Sequence, residues 1–161
     1  MTDMLVKLYR IRYDYGFVEK LEAEGISIHK PERNQIQPLM QWIEKLFCQE
    51  SAEQASLAFL SNPACGFIAS EKNSGDFIGF ACYDALGLGF FGPICILPNY
   101  KGKGISRALV LSCLFDMKMR GYGYAIIGNV GPTRFYEDII KDVAVPDNNP
   151  NGSMGDTISL N

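Results

Sequence analysis

Residues 90–107 constrain the fold of this 161-residue chain more than any other segment. They form an apolar run stopped by Pro98, then a glycine-rich basic turn, Lys101-Gly102-Lys103-Gly104, which leads directly into a long apolar stretch. This order predicts a strand, a tight turn and a helix pressed onto a sheet. A second apolar run at residues 124–127 predicts a strand parallel to the first, joined to it by a right-handed crossover.

The glycine-rich turn itself predicts an anion site. Backbone N–H groups of such a turn and of a helix N-terminus converge on one point, which suits a phosphate or a pyrophosphate. Lys101, Lys103 and Arg107 add positive charge. Gly102 and Gly104 let the backbone come close to a ligand, because no Cβ intervenes. The alternative interpretation is a flexible, solvated loop that carries two lysines.

The same residues resemble a known family, the Gcn5-related N-acetyltransferases (GNAT). Lys101-Gly102-Lys103-Gly104-Ile105-Ser106 is similar to the family's acetyl-CoA signature of Gln or Arg, two residues, Gly, one residue, then Gly or Ala. Lys101 and Ser106 depart from it, so weakened rather than lost phosphate contacts are expected. Arg134-Phe135-Tyr136-Glu137 resembles the second signature, and Asn129 precedes Tyr136 by the family's spacing. The resemblance extends over about residues 25–140.

This resemblance implies an α/β (mixed α+β) acetyltransferase fold. Its central sheet would be mixed but mostly antiparallel, with a splayed parallel strand pair and helices on both faces. We expect a single domain over residues 1–161, with an extension at 1–24, a core at 25–140 and an irregular C-terminal segment at 141–161. In related proteins a terminal hairpin closes the acceptor site, and only residues 157–160 are suited to such a strand here.

The hydrophobic pattern predicts the order of the other elements. Gly25 would end the first helix, and Asn34 would cap the second. Leu39, Ile43 and Leu46 would lie on the inner face of that second helix. The predicted strands cover residues 5–9, 26–29, 66–70, 77–83, 90–98 and 124–127, and the predicted helices cover residues 15–24, 34–48, 51–60 and 102–120.

Pro93 interrupts the strand before the turn. Because proline cannot donate to a ladder, it indicates either a bulge or an edge strand. A bulge would separate this strand from the one at 124–127 and open a slot between them. The resemblance implies that pantetheine enters this slot and pairs with backbone groups of Ile94, Cys95 and Ile96.

The resemblance also implies the activity and its site. The protein would transfer an acetyl group from acetyl-CoA, its co-substrate, directly to a primary amine, without a metal. Tyr136 is the candidate general acid, or else a packed core tyrosine. Asn129 would hold the pantetheine amide, cap the following helix, or both. The cofactor-binding residues would be Ile94, Cys95, Ile96, Lys101, Gly102, Lys103, Gly104, Ile105, Ser106, Arg107 and Asn129.

The base is not evident from the sequence. The strand at 88–98 carries no carboxylate, and Tyr124 stands where some relatives have a glutamate. Asp84 is the nearest plausible carboxylate, although it also suits a turn. A water relay or an already neutral amine would remove the need for a side-chain base. Nothing near Cys95 in sequence would activate its thiol, which disfavours a covalent route.

Composition excludes several other classes of protein. The net charge of −3, without a basic stripe beyond the turn, disfavours nucleic acid as a partner. No apolar run reaches the ~20 residues that span a bilayer, and no secretory signal is present, so we expect a cytoplasmic protein without membrane contact. Five scattered cysteines and the lone His29 disfavour a metal site or a catalytic triad. The turn also lacks the Gly-Lys-Ser/Thr ending of a P-loop, which disfavours a nucleotide-binding domain of that kind.

Two hypotheses follow for the function. The first is an N-acetyltransferase with an unidentified amine acceptor, which could form a homodimer as members of this family commonly do. The second is a non-catalytic acyl-CoA-binding sensor or regulatory module of the same fold. The missing carboxylate and the altered ends of the signature favour the second slightly.

Overall fold

The computed structural model of the chain describes residues 2–12, 14–130, 134–140 and 144–146. In this part of the chain the strands form one seven-stranded sheet in the order β2-β3-β4-β5-β6-β1-β7. Only β5 and β6 are parallel, and every other neighbouring pair is antiparallel. The strands are β1 (Thr2–Lys7), β2 (Ile26–His29), β3 (Gly66–Glu71), β4 (Phe77–Tyr83), β5 (Phe90–Ile96), β6 (Tyr124–Val130) and β7 (Ala144–Pro146).

Helices cover both faces of the sheet, as predicted. On one face α4 packs on β4, where the Cys113 thiol donates to the Ala81 carbonyl at 3.5 Å. On the opposite face the Phe80 ring lies 6.2 Å from the rings of Phe47 and Phe59, next to α2 and α3. The helices are α1 (Gly16–Ala23), α2 (Ile36–Leu46), α3 (Gln49–Phe59), α4 (Ile105–Met119) and α5 (Arg134–Ile139). This arrangement confirms the predicted mixed fold.

A polar cluster ties α4 to the sheet. The Asp116 carboxylate accepts hydrogen bonds from the Lys30 ammonium at 2.7 Å and from the Tyr83 hydroxyl. Arg120, one turn later, donates to the carbonyls of Pro63 and Ala64. Because the lysine and the aspartate are both largely shielded from water, the pair fixes the position of α4 more firmly than a surface ion pair would.

The N-terminal strand lies inside the sheet. β1 pairs antiparallel with β6 on one side and with β7 on the other. Met4 and Val6 are fully buried, so this segment contributes to the core rather than standing apart from it. The sequence had placed it ahead of the core and had not predicted β7. The candidate strand at residues 157–160 lies outside the described residues.

Several predicted boundaries were wrong for local reasons. Glu32 and Gln35, rather than Asn34, form the capping box before α2. Leu46 is 47% exposed instead of lying on the inner face. α4 begins at Ile105, because Gly102 and Gly104 have positive φ angles that a right-handed helix does not admit. In the described ranges no helix is long and apolar enough to cross a bilayer.

Candidate active site

A slot opens between the two parallel strands. β5 and β6 are paired only at Phe90 with Ile126 and at Phe91 with Ile127. Both strands continue beyond this point, to Ile96 and Val130, without further pairing to each other. The parallel pair is therefore splayed, as the sequence predicted, and its last paired rung is at Phe91.

A β-bulge lies where the strands part. Tyr83 pairs with Phe91 and Ala81 pairs with Ile94, so β5 has one more residue than β4 over this interval. The extra residue falls at Gly92 and Pro93, and Gly92 has a φ angle of 120°. Since a bulge bends its strand and increases the local twist, it directs the following residues of β5 away from β6. The predicted bulge at Pro93 is confirmed.

The backbone beyond the bulge has a free edge. Ile94, Cys95 and Ile96 pair with β4 on one side. On their other side, facing β6, they are paired with no strand in the described part of the chain. N–H and C=O groups at such an edge can pair with an added extended chain. The three residues that the sequence predicted for pantetheine therefore lie along the slot.

The glycine-rich turn lies at the open end of the slot. Gly102 and Gly104 have φ angles of 82° and 85°, and a Cβ at either position would meet nothing within 4 Å. Gly104 is the N-cap of α4, and buried Ile105 anchors the first turn of that helix. The turn is exposed from Lys101 to Gly104. The backbone here is therefore open to a ligand on the side where the helix dipole favours an anion.

Aromatic and acidic side chains support the turn. The Lys103 ammonium lies 5.2 Å from the centre of the Tyr100 ring. The Tyr100 hydroxyl in turn donates to the Glu71 carboxylate at 2.8 Å. This chain of contacts ties the lysine to the end of β3, which argues against a freely moving loop.

Arg107 borders a cavity of about 650 Å³ between α4, α5 and residues 10–12, 14 and 17. Arg10 and Arg12 also line it, and its apolar wall includes Leu111 and Phe115. None of the three arginines forms an ion pair with a described residue. The sequence predicted a role for Arg107, but Arg10 and Arg12 were missed because they are far from the turn in sequence.

Tyr136 lies at the last paired rung. Its ring is half-buried and packs edge-on against the ring of Phe91, at a centroid distance of 6.3 Å. Phe135 is nearer, at 4.9 Å. Burial raises the pKa of the Tyr136 hydroxyl above its ordinary value. The phenol therefore stays protonated at neutral pH and can act as a hydrogen-bond donor.

Asp84 is held in the turn between β4 and β5. One carboxylate oxygen accepts from the Gly89 backbone N–H at 2.7 Å, and the other accepts from the Tyr122 hydroxyl at 2.7 Å. The residue has a positive φ angle of 60°, which aspartate tolerates better than most residues. These contacts support the interpretation of Asp84 as a turn residue, and its assignment as a base stays a prediction.

The remaining candidates differ in how the structure places them. Asn129 lies in β6, but its side chain is outside the described part of the chain. Tyr124 is 49% exposed and packs edge-on against Tyr9. Burial raises the pKa of the Cys95 thiol to about 11. Cys95 is thus a thiol rather than a thiolate at neutral pH, which disfavours a covalent route through it.

One buried carboxylate near the slot was missed from the sequence. Asp3 on β1 is only 1% exposed. Its Oδ1 atom lies 3.8 Å from the point where a Cβ of Gly128 would stand, and a carbon of the Phe90 ring lies 3.5 Å from the same point. No local signal predicted this position, because it depends on β1 pairing with β6.

Comparison with known families agrees with this geometry. The parallel strands part at a bulge, and a glycine turn and a helix N-terminus lie at their open end. The family model described as "Acetyltransferase (GNAT) family" matches residues 33–139. The chain therefore belongs to the GNAT acetyltransferase family. A comparison with curated proteins found no match.

Solved structures share the fold at low sequence identity. A GCN5-related glucosamine N-acetyltransferase region of a fungal multi-domain β-N-acetylglucosaminidase superposes with a TM-score of 0.71 at 12% identity, over 91% of this chain and 19% of that one. A GCN5-related N-acetyltransferase from Sphaerobacter thermophilus superposes with a TM-score of 0.58 at 16% identity, over 94% and 44%. This chain thus spans less than half of either protein, and the likeness establishes the fold alone.

Proposed function

We propose that this protein is an N-acetyltransferase that transfers an acetyl group from acetyl-CoA directly to a primary amine. The observation that carries the proposal is the separation of β5 from β6 beyond Phe91 and Ile127, beside the glycine turn of α4. A free strand edge suits an extended chain that contains amides, and the turn suits a pyrophosphate. Coenzyme A contains both groups in one molecule, with its thiol at the end of the amide chain.

Backbone groups would hold most of the co-substrate. The free edge at Ile94, Cys95 and Ile96 would pair with pantetheine, with help from Asn129. The N–H groups of residues 102–106 would bind the pyrophosphate, and Lys101, Lys103 and Arg107 would add charge. The cavity lined by Arg10 and Arg12 adjoins Arg107, so it could take the remaining phosphate of coenzyme A. The thioester of the co-substrate supplies an activated acetyl group.

Tyr136 would assist departure of the thiolate. Proton transfer from a phenol with a reference pKa of about 10 to a thiolate whose thiol has a pKa of about 8.5 is uphill by about 2 kcal/mol. Burial raises the pKa of Tyr136 further and makes full transfer less favourable. A hydrogen bond from the phenol to the developing thiolate is therefore its proposed role.

A second candidate is a non-catalytic acyl-CoA-binding sensor or regulatory module. Two observations favour it: Lys101 and Ser106 replace the usual ends of the signature, and both carboxylate oxygens of Asp84 accept hydrogen bonds within the fold. Turnover with amines separates the two functions, since a sensor would bind acetyl-CoA without releasing thiol.

The first experiment is calorimetric titration of the purified protein with acetyl-CoA and, separately, with ATP. Micromolar affinity for acetyl-CoA without ATP binding is expected, because ATP has phosphates but no pantetheine. A screen of primary amines for released thiol would then identify the acceptor class. Absence of acetyl-CoA binding would refute the enzyme and the sensor together. A cytoplasmic location, a homodimer and the lack of nucleic-acid or membrane partners stay predictions.

A further inference from the structure

We infer that Asp3 is the base that accepts a proton from the acceptor amine, an inference that rests on the proposed function. Asp3 lies on the N-terminal strand, far in sequence from the acetyl-CoA signature. It supplies the carboxylate that β5 lacks.

The register of β1 places Asp3 beside the slot. Thr2 pairs with Val130 and Met4 pairs with Ile127, so Asp3 stands opposite Gly128 and Asn129. Gly128 is the first residue of β6 after the last rung shared with β5. The Asp3 carboxylate oxygen, 3.8 Å from the Cβ position of Gly128, is therefore at the point where the two parallel strands begin to separate.

Asp3 and Tyr136 lie on opposite faces of the sheet at this rung. Successive side chains of a strand point to opposite faces, so Phe90 and Phe91 diverge. The Phe91 ring contacts Tyr136. The Phe90 ring lies beside the Cβ position of Gly128, on the same side as the Asp3 carboxylate. An acetyl group in the slot would have a proton acceptor on one side and a hydrogen-bond donor on the other, an arrangement that suits direct transfer.

The absence of a side chain at Gly128 leaves room for an amine. Its Cβ position is 3.5 Å from the Phe90 ring and 3.8 Å from Asp3, so a methyl group there would fill the space between ring and carboxylate without a clash. Asp3 is 1% exposed, so an amine that reaches its carboxylate from the slot would have to occupy this space beside Gly128. An aromatic wall also favours the neutral form of an amine, since low polarity disfavours the charged form.

The proposed step conserves atoms and charge. The acceptor ammonium gives one proton to the Asp3 carboxylate, and the neutral nitrogen attacks the thioester carbonyl. The C–N bond forms, the C–S bond breaks, and its electron pair leaves on sulfur. The second proton of the nitrogen passes to sulfur, to which Tyr136 donates a hydrogen bond, and Asp3 releases its proton to water.

The test replaces Asp3 with asparagine and varies the basicity of the acceptor. With alkylamines, which are protonated at neutral pH, D3N should lose about 100-fold or more in kcat/KM, the typical contribution of a general base. With a weakly basic amine such as hydroxylamine, which is already neutral, the loss should be within about threefold, because little deprotonation is needed. Calorimetry should give wild-type affinity for acetyl-CoA. Glu19→Gln, on the exposed surface of α1, is the matched control.

Gly128→Ala keeps the proposal testable if D3N folds poorly. The added methyl makes only ordinary contacts, so the melting temperature should be retained while kcat/KM for bulky amines falls. An equal loss by D3N for strongly and weakly basic amines would indicate a structural role and overturn the inference. Full activity of D3N would also overturn it. Wild-type protein without turnover on any amine would instead refute the enzymatic function itself.

Discussion

Gly104→Glu and Gly121→Glu form a matched pair that separates backbone strain from ligand binding. The two glycines flank α4, with φ angles of 85° and 96°, and a Cβ at either would meet nothing within 4 Å. Each substitution should therefore cost only the strain of a left-handed residue, about 1–2 kcal/mol. For a chain of this size that lowers the melting temperature by about 2–8 °C. Gly104→Glu should be the less destabilised of the two by up to about 1–2 kcal/mol, because the helix dipole favours a carboxylate at the N-terminus of α4 and disfavours one at its C-terminus.

The two glycine variants should differ in their affinity for acetyl-CoA. A carboxylate near 4 Å from a phosphate charge costs about 1 kcal/mol if fully solvated and about 4 kcal/mol near a protein surface. Gly104→Glu should thus weaken binding by about 5- to 1000-fold, whereas Gly121→Glu, at the other end of the helix, should bind as wild type does. Calorimetry measures the affinity, and thermal melting measures the strain. Equal affinity in the two variants would refute the placement of the pyrophosphate at this turn.

Three further outcomes are expected. Tyr136→Phe should lower turnover at least about tenfold with little change in acetyl-CoA affinity, and unchanged turnover would remove the phenol from the mechanism. Asp116→Asn should lower the free energy of unfolding in urea by about 2 kcal/mol, because it removes the charged partner of a shielded lysine and leaves it the hydrogen bond to the Ala64 carbonyl. The control Glu22→Gln, in a more exposed ion pair, should change it by less than about 1 kcal/mol, and equal losses would contradict this ranking. Iodoacetamide at neutral pH should label Cys48, whose pKa is lowered by its hydrogen bonds to Ser51, before Cys95, whose pKa burial raises to about 11. The rate at which Cys95 is labelled should rise about tenfold for each unit of pH, as long as the pH stays below the pKa of Cys95. Equal labelling rates for Cys48 and Cys95 at neutral pH would contradict the difference in their pKa values.

The slot could be predicted because its determinants are local. Pro93 lacks an N–H, so it had to fall at a bulge or an edge, and the bulge is where β5 gains its extra residue. Gly102 and Gly104 marked the start of α4, although their positive φ angles shift that start to Ile105. The backbone properties of single proline and glycine residues were therefore sufficient to predict the bulge and the turn.

The position of β1 could not be predicted in the same way. The buried residues Met4 and Val6 alternate along β1, as expected of a strand. This alternation does not say which other strand of the sheet β1 pairs with. β1 lies between β6 and β7, and this placement alone brings Asp3 to the slot. The assignment of Asp84 as a base depends on its nearness in sequence to the acetyl-CoA signature and stays a prediction, and its carboxylate accepts hydrogen bonds from Gly89 and Tyr122.

The departures from the family signature concern side chains in a site that is made mainly of backbone. Lys101 precedes the first glycine and is exposed, so its replacement of Gln or Arg leaves the φ angles of the turn intact. Ser106 lies in the first turn of α4, where a small side chain still leaves the N–H groups accessible. The two glycines between them have the left-handed conformation that the turn requires. The phosphate site should therefore depend more on Gly102 and Gly104 than on the altered ends of the signature.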